Sequence, residues 1–585
     1  MWKSLTVWLS VACLAHASLS DIPHPRVWLP TSAEPALRET LRKDPLAAQL
    51  HQSILAEAGR ILNARTCRYE IPDGKRLLAE SRLALHNITQ CAWAWRIEGG
   101  EPYRLRVIAE MEAACALKNW NTSHYLDTAE MAAAVAIGYD WLYPTLTAAQ
   151  RTMCERAIID KALKPSKDAY GGKPQWWANK PRNNWSQVCG SGVSLAAAAV
   201  AGHDEGLSEN LFAAGLSLVN RCDAFYQPDG MYPEGPGYWH YGTDYHTMLL
   251  AACQPLGVKV EEAPILRQAG AAIMHLTSPT RLNFNFADAN AHVESPSPAQ
   301  CWIASHFGDK VQARHVRNLF ARSLAESKGG SRGERVSVLS LLWLPADPGE
   351  VSLPNAAAFH GEQSVAIFRN SWDPKAAWFA IKGGTAAASH GHMDVGSFVY
   401  DIHGERWIYD LGSDNYNMPG YFGKNRWDYY RMQNRSHNTL EINGSLQTKD
   451  AKPCPLLSSC LTGPTPGASF DLSGAYHGVA SKVVRSSTFD ATTGVVRLND
   501  EINAPAGPVV WRAFTDAQTE IRGNDVILTK KNHSITLRRI SNTGTWSITD
   551  AKPPTAAENQ NKGFRSIALT VPKADAVSIG VEIQP

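Results

Sequence analysis

Charge of one sign is lacking from this 585-residue sequence: 57 Lys and Arg stand against 55 Asp and Glu, a formal net charge of +2. That balance gives no reason to invoke nucleic acid, and a polyanionic ligand would have to be held by a local basic groove. After the first residues no apolar run reaches the roughly 18 residues that a membrane span needs. No CxxC spacing occurs among the eleven cysteines, which argues against a thiolate zinc site. Low-complexity segments and short internal repeats are absent as well. A chain this long exceeds one ordinary core and implies two or three domains.

The amino terminus carries Lys3, an apolar run over residues 5–14 and Ala15-His16-Ala17. This is the pattern of a secretory signal, with cleavage expected after Ala17. Cys13 follows Ser10-Val11-Ala12, a poor lipoprotein box. The mature chain is therefore expected to be exported, to the periplasm or cell envelope or beyond. Ten cysteines remain. Cys91, Cys115, Cys154, Cys189, Cys222 and Cys253 lie in apolar, helix-like surroundings and read as buried thiols. Cys454 and Cys460 flank a short loop and form the one candidate disulfide.

Helical periodicity dominates from about residue 32 to 344, over 33–43, 75–97, 102–117, 126–142, 148–163, 185–201 and 205–225, then 238–256, 265–277, 299–307 and 310–324. Connections of roughly 4 to 15 residues make successive helices antiparallel neighbours, so an α/α toroid of helical hairpins is expected over 18–345. Pro345-Ala346-Asp347-Pro348-Gly349 breaks the pattern and reads as the linker. Two-residue alternation follows at 364–369, 377–381, 397–402, 407–409, 481–489, 495–502, 509–514, 526–528, 534–540 and 578–583. Many short strands without helices imply an antiparallel β-sandwich over 346–585.

Chemistry-bearing residues concentrate in Ser389-His390-Gly391-His392-Met393-Asp394, in Asp410 and in Ser436-His437-Asn438-Thr439. If 390–394 is extended, His390, His392 and Asp394 share a face, with neighbours roughly 7 Å apart. One zinc then takes both imidazoles, or one histidine binds metal while the other faces a cleft; spacing does not decide. The plain alternative is hydrogen-bonding strand residues. Asp410 and His437 weigh against it, since they complete the three donors that a divalent ion requires.

Two further stretches lie in the helical half. Pro181-Arg182-Asn183-Asn184-Trp185 opens a helix with asparagine at the cap, and capping alone would explain that residue. In Pro228 to Tyr245 a Pro/Gly-rich loop delivers Glu234, and a helix then starts with Tyr238, Tyr241 and Tyr245 on one face. A buried aromatic stripe is the plain reading. Phenols near a helix N-terminus sit where the dipole favours an anion. Ionising one at neutral pH means lowering its pKa by about 3 units, about 4 kcal/mol. Arg182, His240, His390 or a metal would have to supply that.

Leu126 to Glu130, Tyr139-Asp140-Trp141, Asn183-Asn184-Trp185, Pro233 to Trp239, Ser389 to Asp394, Asp410 and Ser436 to Thr439 fall in one order along almost the whole mature chain. Together they resemble the heparinase II/III-like polysaccharide lyases, which include oligoalginate lyases and heparinases. The resemblance implies β-elimination at a uronic acid, with an acidic polysaccharide or oligosaccharide as partner. Tyr238 would remove the C5 proton and return one to the leaving oxygen, while Asn184 and His390 neutralise the carboxylate. Arg182, Trp185, Glu234, His240 and Tyr241 would line the substrate site, with Tyr241 the alternative base. Metal-binding members place zinc at the positions of His392, Asp410 and His437, here in a structural or orienting role. No nucleic acid and no membrane span are expected, and a homodimer is left open. The sequence departs from the pattern at Trp185, where several members have histidine.

Two rival readings stand beside the lyase. A toroidal glycoside hydrolase needs two carboxylates roughly 5 to 9.5 Å apart, for which Asp140, Asp229 and Glu234 are available. A non-catalytic protein that binds acidic glycan is the other.

Overall fold

The computed structural model describes residues 18–181, 183–204, 206–260, 263–291, 295–326 and 336–585. The expected signal segment 1–17 and Arg182 lie outside the described residues.

The amino-terminal half is an α/α toroid. At its centre the helix Tyr125–Leu142 is buried along its whole length, its apolar residues distributed round every face and its carboxylates Asp127, Glu130 and Asp140 each held by hydrogen bonds. It packs against Leu78–Glu98 on one side and Asn184–Val200 on the other, and the latter meets Leu207–Arg221 and Pro236–Cys253. Alanine-rich stretches, Ala132 to Ala134 and Ala196 to Ala199, let these axes approach closely. The sequence reading omits one long helix, Pro45–Ile61, although its start is well marked. Asp44 caps it by accepting from the backbone N–H groups of Leu46 and Ala47, and Pro45 occupies the first turn. Among the described residues no helix is long and apolar enough to cross a membrane.

The last helix, Ser337–Leu342, gives way to strands at Ala356–Phe359. The first sheet is an antiparallel meander of Ala356–Phe359, Val365–Arg369, Trp378–Lys382, Phe398–Ile402 and Glu405–Ile408. An eight-stranded and a four-stranded sheet complete the sandwich. Three strands of the meander are buried on both faces. Val365, Ile367, Trp378, Ala380 and Val399 turn toward the helical half, where Tyr232, Trp239, Leu266 and Phe286 meet them. Their neighbours Ala366, Phe368, Phe379, Ile381 and Phe398 turn into the sandwich core. The two halves therefore share a core, and what they enclose has rigid walls.

Cys454 is buried, Cys460 is exposed, and both are free thiols, so the expected disulfide is corrected. The six cysteines read as buried thiols are buried and free.

Candidate active site

A cleft of about 1170 Å³ runs between the helical half and the loops of the sandwich. From the helical side it is built on the helix Pro236–Cys253. Gly235, the residue before it, has φ +85°, and a Cβ there would lie 2.5 Å from the carbonyl oxygen of Phe286. Only glycine makes that turn. Pro236 then opens the helix, which places Tyr238 and Tyr241 on the cleft wall.

From the other side comes the connection between Trp378–Lys382 and Phe398–Ile402. The expected extended conformation fails at His390, which has φ +61° in a turn. Gly391 follows because a Cβ would meet the carbonyl oxygens of Ala386 and Ala388 at 2.6 and 2.9 Å. A left-handed histidine is a strained arrangement that its surroundings must hold. Asp288 supplies the hold: one carboxylate oxygen lies 2.6 Å from Nδ1 of His390, and the other lies 2.9 Å from Nε2 of His392. The second oxygen also accepts from the Tyr421 hydroxyl at 2.8 Å and from Arg426 at 3.1 Å. Burial opposes ionisation of Asp288, but the two histidines and Arg426 outweigh it and hold the carboxyl well below its ordinary pKa.

Tyr238 and His390 meet in this cleft. Their rings stack with centroids 4.1 Å apart and planes at 23°. The Tyr238 hydroxyl lies 3.0 Å from that of Tyr416. Burial pushes the Tyr238 phenol up, the bond to Tyr416 opposes this, and the carboxylates of Asp288 and Glu234 add to it. The phenol is thus a proton donor at rest, opposite in direction to the shift that a resting phenolate would need.

Tyr241, one turn further on, gives its hydroxyl to Glu130 at 2.6 Å, beneath the guanidinium of Arg82 at 4.9 Å from its ring. Asn184 donates its backbone N–H to Glu234 at 2.7 Å and its amide to both carboxylate oxygens at 3.2 and 3.3 Å. Glu234 is fully buried behind it, also accepts from the Tyr232 hydroxyl, and has its pKa raised by that burial. Glu234 therefore backs Asn184 and is not on the cleft surface, whereas Asn184, Trp185 and His240 line it. The residue that caps the helix is Asn183.

The carboxylates offered to a hydrolase are engaged elsewhere. Asp140 accepts from the backbone of Arg26 and Val27 and pairs with His24, and Asp229 holds the backbone and ring of His360.

His392, Asp410 and His437 come together behind His390. Nδ1 of His437 lies 2.8 Å from Asp410, its Nε2 lies 2.9 Å from the carbonyl of Arg431, and the two imidazoles stand 5.3 Å apart. Burial opposes both charges of the Asp410–His437 pair, yet their attraction lowers the carboxyl pKa and raises that of the imidazole. Among the described residues no set of three His, Cys, Asp or Glu stands ready as a metal cage. The donor chemistry still fits a divalent ion. Each histidine has Nε2 anchored on an acceptor, and the buried Nδ1 of His392 has no hydrogen-bond partner among the described residues.

Asp288, Tyr416, Tyr421 and Arg426 were missed by the motifs. The alternation Phe284, Phe286, Asp288 within a helical region and the aromatic run from Tyr416 to Trp427 are the traces they leave.

Residues 364–541 match the family model described as heparinase II/III-like, C-terminal. No curated protein matches the chain. Among solved structures, a heparinase III is 15% identical with a TM-score of 0.62, covering 91% of this chain and 85% of its own. A second heparinase III has a TM-score of 0.61 at 15% identity, covering 88% and 80%. The heparan sulfate lyase HepC from Pedobacter heparinus has a TM-score of 0.61 at 12% identity, covering 96% and 92%. At these identities the likeness is one of fold, toroid plus sandwich.

Proposed function

We propose that this chain is a polysaccharide lyase that cleaves a uronic-acid-containing glycan by β-elimination. The observation that carries the reading is the stack of Tyr238 on His390, a phenol from the toroid and an imidazole from the sandwich 4.1 Å apart in one cleft. The heparinase-like fold supports the class of reaction.

Elimination needs a base at the C5 proton, neutralisation of the neighbouring carboxylate and an acid at the leaving oxygen, and it needs no activated water. Tyr238 protonates the leaving oxygen, for which its raised pKa suits it. In the first reading Tyr238 also removes the C5 proton, and Asn184 and His390 hold the carboxylate. The rest-state shift of the phenol favours a second assignment. There Nε2 of His390, whose Nδ1 is tied to Asp288 and which itself lies 3.6 Å from the carboxylate of Glu234, takes the C5 proton and Tyr238 is the acid alone.

Zinc, when bound, would be held by His392, Asp410 and His437 and would supply a fixed positive charge that orients the loop bearing His390. A secreted or periplasmic location belongs to the same proposal.

The test is a panel of uronate polymers and oligomers, read by ultraviolet absorbance of the unsaturated product. Wild type should release it, and Tyr238→Phe should lower the rate by at least about 10³-fold with the fold intact. Undiminished activity removes Tyr238 from the mechanism. Solvent deuterium decides the base: exchange at C5 that persists in Tyr238→Phe assigns it to His390, and its loss assigns it to Tyr238.

A further inference from the structure

The helical wall of the cleft holds an imidazole that no motif marks. His124 ends the short turn Thr122–His124 that leads into Tyr125–Leu142, and it borders the cleft. As the residue preceding that helix it makes no side-chain cap bond, so capping does not account for it. Its Nδ1 lies 2.6 Å from Asp127. That fully buried carboxylate also accepts from the backbone N–H of Leu77 at 2.6 Å and from Asn121 at 2.7 Å. Three partners fix the carboxylate in place, and the carboxylate keeps the proton on Nδ1. Nε2 is left over, with no hydrogen-bond partner among the described residues.

Trp185 completes the holder. Its ring meets that of His124 at 4.9 Å and 76°, and it tilts against Trp176 at 5.2 Å. Trp176 is half exposed in the cleft, which makes the pair a surface on which a sugar ring can rest. Lys75 and Arg76 line the same wall.

We propose that His124 is a second substrate-binding imidazole of the cleft, presenting Nε2 to an anionic oxygen group of the glycan, carboxylate or sulfate ester, beside the Trp176–Trp185 platform. Asp127 is its positioning residue. The proposal rests on the lyase reading for its substrate class and is tested by binding, so the two can fail separately.

Calorimetric titration in the non-reacting Tyr238→Phe chain uses acidic oligosaccharides of the panel, their carboxyl-reduced forms and, for sulfated ones, their desulfated forms. His124→Asn should weaken the acidic ligand about tenfold or more. It should leave unchanged the form that lacks the group His124 holds, which identifies carboxylate or sulfate. Asp127→Asn should give part of the same charge-dependent loss. Should His124→Asn not fold, His124→Gln is read in its place. Equal losses on charged and uncharged forms, or no loss, overturn the proposal. If binding depends on His124 but wild type makes no unsaturated product, the lyase reading falls and His124 stands. If product forms and His124→Asn matches wild type at limiting substrate, His124 falls and the lyase stands. Binding of no oligosaccharide sinks both.

Discussion

Asp288 accepts from His390 through one oxygen and from His392, Tyr421 and Arg426 through the other. It is therefore the residue whose loss should spread furthest. Asp288→Ala leaves the buried guanidinium of Arg426 without its counter-charge, a change that costs about 3–5 kcal/mol. It also frees the strained His390. Denaturant melts should show a loss of that size, and turnover should fall by at least about 10²-fold. Wild-type values in both would mean that His390 is held by other contacts. At this scale the sequence revealed residues that sit in local patterns. Tyr238 follows a Gly/Pro loop, and His390 and His392 flank a glycine. Asp288, Tyr416 and His124 acquire meaning only through partners more than a hundred positions away, or through a carboxylate three residues on whose burial no periodicity reports.

Among the elements, most helices were legible from their length, their apolar content and the Pro/Gly punctuation between them; Pro45–Ile61 was omitted, and the other errors were mostly ends. The inner sheet was harder to read. Strands such as Val365–Arg369 and Trp378–Lys382 face apolar surroundings on both sides, so polar alternation is missing and aromatic and β-branched content carries the signal. The three candidate metal donors show what element ends add. His392 follows Trp378–Lys382, Asp410 follows Glu405–Ile408, and His437 follows the turn Asn434–Ser436. An ion held by all three would tie three connections together and link their order to metal occupancy. Purified protein should carry about one zinc per chain, and a chelator should lower the melting temperature, since a ligand at about a hundred times its Kd contributes about 2.7 kcal/mol. No zinc and no shift would leave the three as ordinary hydrogen-bonding residues.

The whole molecule depends on the seam between its halves, because the proposed lyase mechanism draws on residues from both sides of it. That seam carries a titration of its own. Arg369, fully buried, donates to the carbonyl oxygens of His275 and Thr277 and lies 3.5 Å over the ring of Trp372. Its pKa is pushed down to about 9 by burial, against the pull of Asp401. His275 and His315 pack their rings on the same tryptophan. Burial first, then Arg369, lowers His315 from 6.5 to about 3 and His275 well below its ordinary value. Both imidazoles are therefore neutral when folded, and the unfolded chain binds protons that the folded chain refuses. Stability is complete above about pH 6.5 and declines as the pH falls toward the folded pKa. At pH 5 His315 alone costs about 2 kcal/mol, from 1.5 units at about 1.36 kcal/mol each, and His275 acts in the same direction. Denaturant melts should show lower stability at pH 5 than at pH 7, and His315→Gln should recover about 2 kcal/mol of the difference. A seam that melts identically at both pH values would mean that the two rings are reached by water, and the packed boundary that sets Tyr238 against His390 would then be looser than its buried core implies.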